Sequence, residues 1–298
     1  MSEETKIRAI LQKVRAIEVR TRKVMNEGIS GSWRSHFKGR GMNFEELRDY
    51  TPGDEIRTID WNSTAKLNRP VVKVFREDRE LIFILVLDVS ASGECGSVGQ
   101  SKREFASEIA SVLALSALKN NDKVGLFLFS DQIEKFILPN KGQAQLLAVI
   151  REALFFKPQH PQTDLVACLK ALQGLLKKKA IICFLSDFLP TRTPNTDELM
   201  KTLGYIHHRH DLLCVRITDP REKELPNVGF VALTDAETGE TAYVDTRAAS
   251  VRKTYADQRN RYWENFQNAC KHHGIGVLTL TNGQPYMKQL RNFFTQRH

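Results

Sequence analysis

Three oxygen-bearing side chains, Asp88, Ser90 and Ser92, follow the apolar stretch LIFILVL (residues 81–87) at alternating positions. Seven consecutive apolar residues predict a buried strand, which would carry the three side chains to its carboxyl end. Carboxylate and hydroxyl oxygens are ligands of hard divalent cations. The pattern D-x-S-x-S is a weak signal by itself, because Asp and Ser are also common in turns and helix caps.

Two further oxygen donors are predicted to join these three from other loops. In an open α/β sheet, ligands bind outside the carboxyl ends of the strands, where neighbouring connections diverge. The strand that ends in FLSDF is expected to pair beside residues 81–87, which places Asp187 at the same edge. Thr163 stands before a predicted helix in HPQTDLVACL. The predicted site therefore consists of Asp88, Ser90, Ser92, Thr163 and Asp187.

The chemistry of this donor set favours a hard divalent cation. Two carboxylates and three hydroxyls, without His or Cys, suit Mg²⁺, with Mn²⁺ or Ca²⁺ as alternatives. Two carboxylates that are forced together repel unless one is protonated or a cation neutralises both. Two of the donors have a second interpretation, since Thr163 is also a typical helix N-cap and Asp187 also fits the start of a turn.

The elements that must position these residues are predicted from residue 80 onward. Apolar runs of strand length alternate with helical patterns there, which predicts a doubly wound, mostly parallel, Rossmann-like α/β sheet. The stretch DKVGLFLFSDQIEKFIL predicts a strand followed by an antiparallel edge strand. Ser101 and Glu104 form a capping box before a helix, and a β-hairpin insertion is expected near 228–246. We predict a main domain over 80–298, with residues 1–79, including a helix over 5–27, packed on it.

Composition restricts the class of protein. The net charge of +9 is spread over 298 residues and mixed with acids, without the basic run flanked by aromatics that is typical of nucleic-acid binding. The five cysteines are scattered and contain no C-x-x-C pair, which indicates a reducing compartment. The charged N-terminal stretch does not read as a signal peptide, and no stretch approaches the roughly 18 apolar residues of a membrane span. We expect a cytoplasmic protein.

The five donors carry a resemblance to a known family. D-x-S-x-S at the end of the first strand, followed by a Thr and later an Asp, resembles the metal-ion-dependent adhesion site of von Willebrand factor A domains. The resemblance implies that the hydroxyls of Ser90, Ser92 and Thr163 bind the metal, and that Asp88 and Asp187 contact it directly or through water. It also implies a vacant position that accepts a carboxylate from a partner protein.

A second resemblance covers nearly the whole chain. The stretches GRGMNFEELRDYTPGDEIRTIDWNSTAK and DAETGETAYVDT resemble the bacterial domain-of-unknown-function-58 family. Members of that family are typically encoded with MoxR-type AAA+ ATPases, so the resemblance implies such an ATPase or its client as the partner. Within the first stretch we predict a packed ion network that fastens the N-terminal segment, with a direct binding role as the alternative. Its members are Asp54, Arg57, Asp60 and Trp61.

The leading hypothesis is a non-catalytic, divalent-metal-dependent protein-interaction module. The alternative is a Mg²⁺-dependent phosphoryl-transfer hydrolase that uses Asp88. Phosphatases of the D-x-D type need a second carboxylate as general acid, and position 90 is Ser. Neither a phosphate-binding G-x-x-x-x-G-K-[ST] loop nor a G-x-S-x-G nucleophile motif is present. The stretches HHRHD and CKHHG lack the spacing of a zinc site.

Overall fold

The structure is a computed structural model, and it describes residues 43–52, 54, 59–76, 81–97, 99–189 and 196–295. The helix predicted over 5–27 lies outside the described residues. The chain divides into two compact units whose boundary falls after residue 80. The predicted packing of residues 1–79 on the main domain stays a prediction, and each unit is described by itself.

The smaller unit is an antiparallel pair of strands with a short helix between them. Its elements are β1 (Asn43–Asp49), α1 (Trp61–Leu67) and β2 (Val71–Arg76). Asp60 is the N-cap of α1, and its carboxylate accepts hydrogen bonds from the backbone N–H groups of Asn62 and Ser63. Its own N–H donates to the carbonyl of Val71 over 2.9 Å, which ties the start of the helix to β2.

The larger unit contains one main sheet and one separate hairpin. Its strands are β3 (Ile82–Asp88), β4 (Lys123–Phe129), β5 (Ile133–Asn140), β6 (Ile181–Ser186), β7 (Asp211–Thr218), β8 (Phe230–Thr234), β9 (Thr241–Asp245) and β10 (Gly276–Thr281). The main sheet has the order β10–β7–β6–β3–β4–β5, and its pairs are parallel except for β4 with β5. This confirms the predicted doubly wound, mostly parallel α/β sheet with an antiparallel edge strand.

Helices cover both faces of the main sheet. They are α2 (Lys102–Lys119), α3 (Gln143–Phe155), α4 (Leu165–Leu175), α5 (Thr196–Arg209), α6 (Pro220–Lys223), α7 (Ala249–His272) and α8 (Met287–Thr295). One core joins inward side chains of β3 and β6, such as Ile84 and Phe184, to Leu169 of α4, Leu203 of α5 and Phe266 of α7. Helix α2 packs against β3, β4, β6 and β7. Because both faces are covered, the central strands carry continuous apolar runs.

Helix α2 begins with the predicted capping box. The Ser101 hydroxyl accepts a hydrogen bond from the N–H of Glu104, and the Glu104 carboxylate accepts one from the N–H of Ser101. This cap fixes the first turn of α2 beside the carboxyl ends of the central strands. Lys102, the first residue of the helix, is consequently buried at that edge.

Two smaller expectations concern the hairpin and the cysteines. Strands β8 and β9 pair antiparallel, which confirms the hairpin expected near 228–246. Cys168, Cys183 and Cys214 form no disulfide bond and are buried, which is typical of thiols in apolar runs, whereas Cys95 is exposed. In the part of the chain that the structure describes, no helix has both the length and the apolar character that a membrane crossing requires.

Candidate functional site

The candidate site lies where β3 and β6 end side by side. The two strands pair in parallel, with Leu87 opposite Leu185, which confirms that the strand ending in FLSDF lies next to residues 81–87. The chain leaves β3 toward β4 on one side, whereas β6 lies on the other side of β3. This divergence is the switch point at which open α/β sheets bind ligands. Asp88 ends β3 there, and Asp187 directly follows β6.

Asp88, Ser90 and Ser92 form a connected group after β3. One carboxylate oxygen of Asp88 accepts the N–H of Ser90 over 3.0 Å, and the other accepts the hydroxyl of Ser186 over 2.8 Å. The hydroxyl oxygens of Ser90 and Ser92 are 3.1 Å apart. Ser90 and Ser186 are buried, so these polar groups are held by the protein rather than by bulk water.

Asp187 is paired with a cation that the sequence analysis did not single out. The ammonium group of Lys102 lies 2.7 Å from Asp187 Oδ2 and 2.5 Å from Glu222 Oε1. The side chains of Lys102 and Asp187 are only 4% and 5% exposed. The other oxygen of Asp187 accepts the N–H of Leu189 over 3.0 Å, so Asp187 also begins a turn, as its second interpretation had it.

The two carboxylates therefore differ in electrostatic environment. Burial, together with the negative charge of Asp187, raises the pKa of the Asp88 carboxyl from 3.8 to about 7, although hydrogen bonds from Ser90 and Ser186 partly offset this. Burial also disfavours the charged form of Lys102, but the Asp187 and Glu222 carboxylates outweigh it and hold the pKa of Lys102 above its ordinary value. Lys102 thus compensates Asp187, and Asp88 is the carboxyl whose negative charge is least compensated.

A cavity of about 20 Å³ opens between these groups. It is slightly larger than the roughly 10–15 Å³ that a single water molecule needs, so it suits one water or one small ion. Apolar and polar groups both line it, and six of the lining residues have polar side chains. They are Asp88, Ser92, Lys102, Arg103, Ser186 and Asp187.

Thr163 lies in the neighbouring loop, with a contact of its own. The N–H of Ala91 donates to the carbonyl of Pro161 over 2.9 Å, which brings this loop beside the turn that follows Asp88. The hydroxyl of Thr163 donates to Glu237 of the hairpin over 2.7 Å. The interpretation of Thr163 as the N-cap of the following helix is wrong, because Asp164 caps α4 through a 2.9 Å bond from the N–H of Ala167.

Within the predicted donor set, Asp88, Ser90 and Ser92 fit a hard divalent ion by two observations. Neighbouring oxygens around Mg²⁺ lie about 3 Å apart when each is about 2.1 Å from the metal in octahedral geometry, and the hydroxyl oxygens of Ser90 and Ser92 have that spacing. The second observation is the raised pKa of Asp88, because burial and the charge of Asp187 disfavour its negative charge more than the hydrogen bonds stabilise it. Over the described ranges, no cluster of three or more His, Cys, Asp or Glu side chains suits a metal.

The predicted network of Asp54, Arg57, Asp60 and Trp61 is only partly described, because Arg57 lies outside the described residues. The Asp54 carboxylate accepts hydrogen bonds from Arg48 and from the N–H and hydroxyl of Thr51, which lower the pKa of Asp54 to about 2. Asp60 caps α1. Trp61 is 65% exposed, and its predicted role in fastening the N-terminal segment stays a prediction.

Sequence reasoning missed Lys102, Ser186, Glu222 and Glu237. Ser186 directly precedes Asp187, and Lys102 opens the helix that follows the D-x-S-x-S loop, so position along the chain offered a signal for these two. Glu222 and Glu237 come from distant segments, and their types alone carry no such signal.

Comparison with known proteins gives one family match. The family model described as "Protein of unknown function DUF58" matches residues 46–264. An uncharacterized protein of Mycobacterium tuberculosis is 26% identical over 287 residues, which cover 95% of this chain and 88% of the relative. An uncharacterized protein of Mycobacterium avium is 29% identical over 134 residues, which cover 45% of this chain and 76% of the relative.

Solved structures with a similar arrangement are more distant. BatB from Bacteroides thetaiotaomicron has a TM-score of 0.46 at 14% identity, covering 73% of this chain and 98% of that protein. The VWA domain of SpRpn10 has a TM-score of 0.40 at 10% identity, covering 72% and 95%. A von Willebrand factor type A protein from Catenulispora acidiphila has a TM-score of 0.38 at 11% identity, covering 76% and 44%.

The role of Lys102 predicts a large loss of stability on its removal. Lys102→Met leaves Asp187 and Glu222 without their shared cation, and loss of one partner from a buried ion pair costs about 3–5 kcal/mol. Urea denaturation measures this change in the free energy of unfolding. The control Lys170→Met removes an exposed pair with Glu198 and should cost less than about 1 kcal/mol. Similar losses in the two variants contradict the assignment.

The raised pKa of Asp88 predicts a pH-dependent effect of Asp88→Asn. Between its ordinary pKa and about 7, the folded wild type binds more protons than the unfolded chain, so its stability falls as the pH rises. The variant lacks this titration. In EDTA, the stability of Asp88→Asn relative to wild type should therefore increase from pH 5 to pH 8, on the order of 1–3 kcal/mol. Denaturation curves at several pH values test this, and a difference independent of pH contradicts it.

Proposed function

The chain belongs to the DUF58 family, and we propose that it is a non-catalytic protein-interaction module whose binding site is the edge formed by Asp88, Ser90 and Ser92. The observation that carries the proposal is the pair of serine hydroxyls beside the buried carboxyl of Asp88, whose pKa is raised by burial and by the charge of Asp187. Such a group favours the arrival of a positive charge. The DUF58 family is described as one of unknown function, so the proposal is based on the residues of the site.

We propose that this positive charge is a divalent cation, with Mg²⁺ as the first choice. The residues that would hold it are Asp88, Ser90 and Ser92, with Thr163 and Asp187 at the edge of the site. A bound cation supplies an electrophilic centre that accepts a carboxylate oxygen from another protein. The protein itself fixes the hydroxyl pair, excludes bulk water around Ser90 and keeps Asp187 paired with Lys102.

The proposed partner is a protein that presents an acidic side chain to this edge. The resemblance to the DUF58 family suggests a MoxR-type AAA+ ATPase or its client, in the bacterial cytoplasm. ATP hydrolysis would then belong to the ATPase, and this chain would bind the ATPase or its client. A complex-assembly or stress-related chaperone system is the setting that this pairing suggests.

The alternative function is that of a Mg²⁺-dependent phosphoryl-transfer hydrolase that uses Asp88. It needs a general acid close to Asp88, and the nearest side chains do not provide a free one. Ser90 occupies the position of the second acid, and Lys102 is committed to Asp187 and Glu222. A screen of phosphate esters with Mg²⁺ separates the two functions, because turnover that disappears in Asp88→Asn would favour the enzyme.

Metal binding predicts a thermal shift. Millimolar Mg²⁺ or Mn²⁺ should raise the melting temperature of the wild type by a few degrees, and EDTA should reverse it, since an ion that binds only the folded state stabilises it. The double variant Asp88→Ala/Ser90→Ala should fold and lose this response. Asp245→Ala, which removes a carboxylate outside the site, should keep it. Thermal denaturation with and without the ion measures all three.

Partner capture tests the second part of the proposal. The wild type should recover its partner from the native cell extract in Mg²⁺ and release it in EDTA, whereas the double variant should recover none. Equal recovery by the double variant would show that the metal does not bridge the two proteins.

A further inference from the structure

The tip of the hairpin reaches the edge of the candidate site. The turn Asp235–Glu240 joins β8 to β9, and it carries Glu237. The carboxylate of Glu237 accepts the hydroxyl hydrogen of Thr163 over 2.7 Å. Thr163 is only 8% exposed, so the contact is made at a largely enclosed group. A carboxylate of this chain is therefore already hydrogen-bonded to one of the hydroxyls of the proposed site.

The turn is built to present Glu237. One carboxylate oxygen of Asp235 accepts the N–H groups of Glu237 and Thr238 over 2.8 and 3.2 Å. The N–H of Gly239 donates to the carbonyl of Asp235 over 2.9 Å, with a φ of +74° that favours glycine. These bonds fix the backbone on both sides of Glu237, so its position is determined by the turn.

The rest of the hairpin leaves much of its surface exposed. Its base is anchored by the buried Thr246, whose hydroxyl donates to the carbonyl of Gly229 over 2.7 Å. Between base and tip, Phe230 is 70% exposed and Tyr243 is 82% exposed. A two-stranded ribbon has little stability of its own, so contacts at its two ends decide where it lies.

The loop that carries Thr163 is joined directly to the D-x-S-x-S loop. The N–H of Ala91, between the two serines, donates to the carbonyl of Pro161. On the other side, the N–H of Asp164 donates to the carbonyl of Ser130 at the end of β4. Thr163 is thus held at the rim of the site by bonds on both of its sides, and Glu237 is held there with it.

We infer that Glu237 is an internal acidic ligand of the proposed site, and that an acidic side chain of the partner binds by displacing it. This inference rests on the proposed function, since it assumes that the site takes a carboxylate beside a divalent cation. The cation attracts the carboxylate of Glu237 and strengthens the closed position of the hairpin. A competing carboxylate then releases the hairpin tip.

Hydrogen exchange of the full chain with added Mg²⁺ tests the inference. In the wild type, Mg²⁺ should slow amide exchange severalfold both in residues 88–95, which follow β3, and in the hairpin turn 235–240. Glu237→Gln retains an acceptor for the Thr163 hydroxyl but has no charge, so it should keep the slowing at 88–95 and lose it at the turn. The matched control is Glu240→Gln, which removes an exposed carboxylate of the same turn and should behave as the wild type.

A second measurement uses the metal alone. Titration of Mn²⁺ followed by electron paramagnetic resonance should give about a tenfold weaker affinity for Glu237→Gln than for the wild type or Glu240→Gln, a factor that corresponds to about 1.4 kcal/mol. Metal binding with no response of the turn and equal affinities in all three proteins overturns the inference and leaves the proposed function standing. Absence of metal binding in the wild type overturns both.

Discussion

The meeting of two carboxylates at one edge of the sheet is the constraint on which the rest of the site depends. Parallel pairing of β3 and β6 brings Asp88 and Asp187 to the same edge, where burial makes their mutual repulsion strong. The surrounding groups offset that repulsion. Lys102 pairs with Asp187, and hydrogen bonds from Ser90 and Ser186 reach Asp88.

This compensation is unequal, and the inequality gives the site its chemistry. A buried ammonium group satisfies Asp187 permanently, because Lys102 is fixed by the first turn of a capped helix. Asp88 accepts hydrogen bonds from Ser90 and Ser186, and burial raises its pKa, so a proton or a cation would stabilise this carboxyl. The fold thus pairs the Asp187 carboxylate with a cation, and Asp88 is the carboxyl at which we propose that a divalent cation binds.

The hairpin that contacts this edge contains one of the two stretches that carry the family resemblance. The stretch DAETGETAYVDT forms the turn and β9, and its Glu237 contacts Thr163 at the site. The other stretch of the resemblance, GRGMNFEELRDYTPGDEIRTIDWNSTAK, includes Asp60, which caps α1, and Asp54, which pairs with Arg48 in the smaller unit. The smaller unit and the hairpin both expose aromatic side chains, Trp61 in one and Tyr243 in the other. Exposed aromatics of this kind are common in protein-binding surfaces.

The amino-acid sequence was enough to predict the sheet, because continuous apolar runs are typical of strands covered on both faces and their order along the chain restricts how they pair. It also determined that Asp88 and Asp187 lie at one edge, since each ends such a run. Only the tertiary structure decided which charges neutralise them. Lys102, Glu222 and Glu237 are polar residues in helices and turns, where their types indicate a solvated surface. The contacts of Thr163 with Glu237, of Lys102 with Asp187 and of Lys102 with Glu222 join residues that are 74, 85 and 120 positions apart. Long-range contacts of this kind leave no local pattern, because they depend on where separate elements pack and not on the residues beside them.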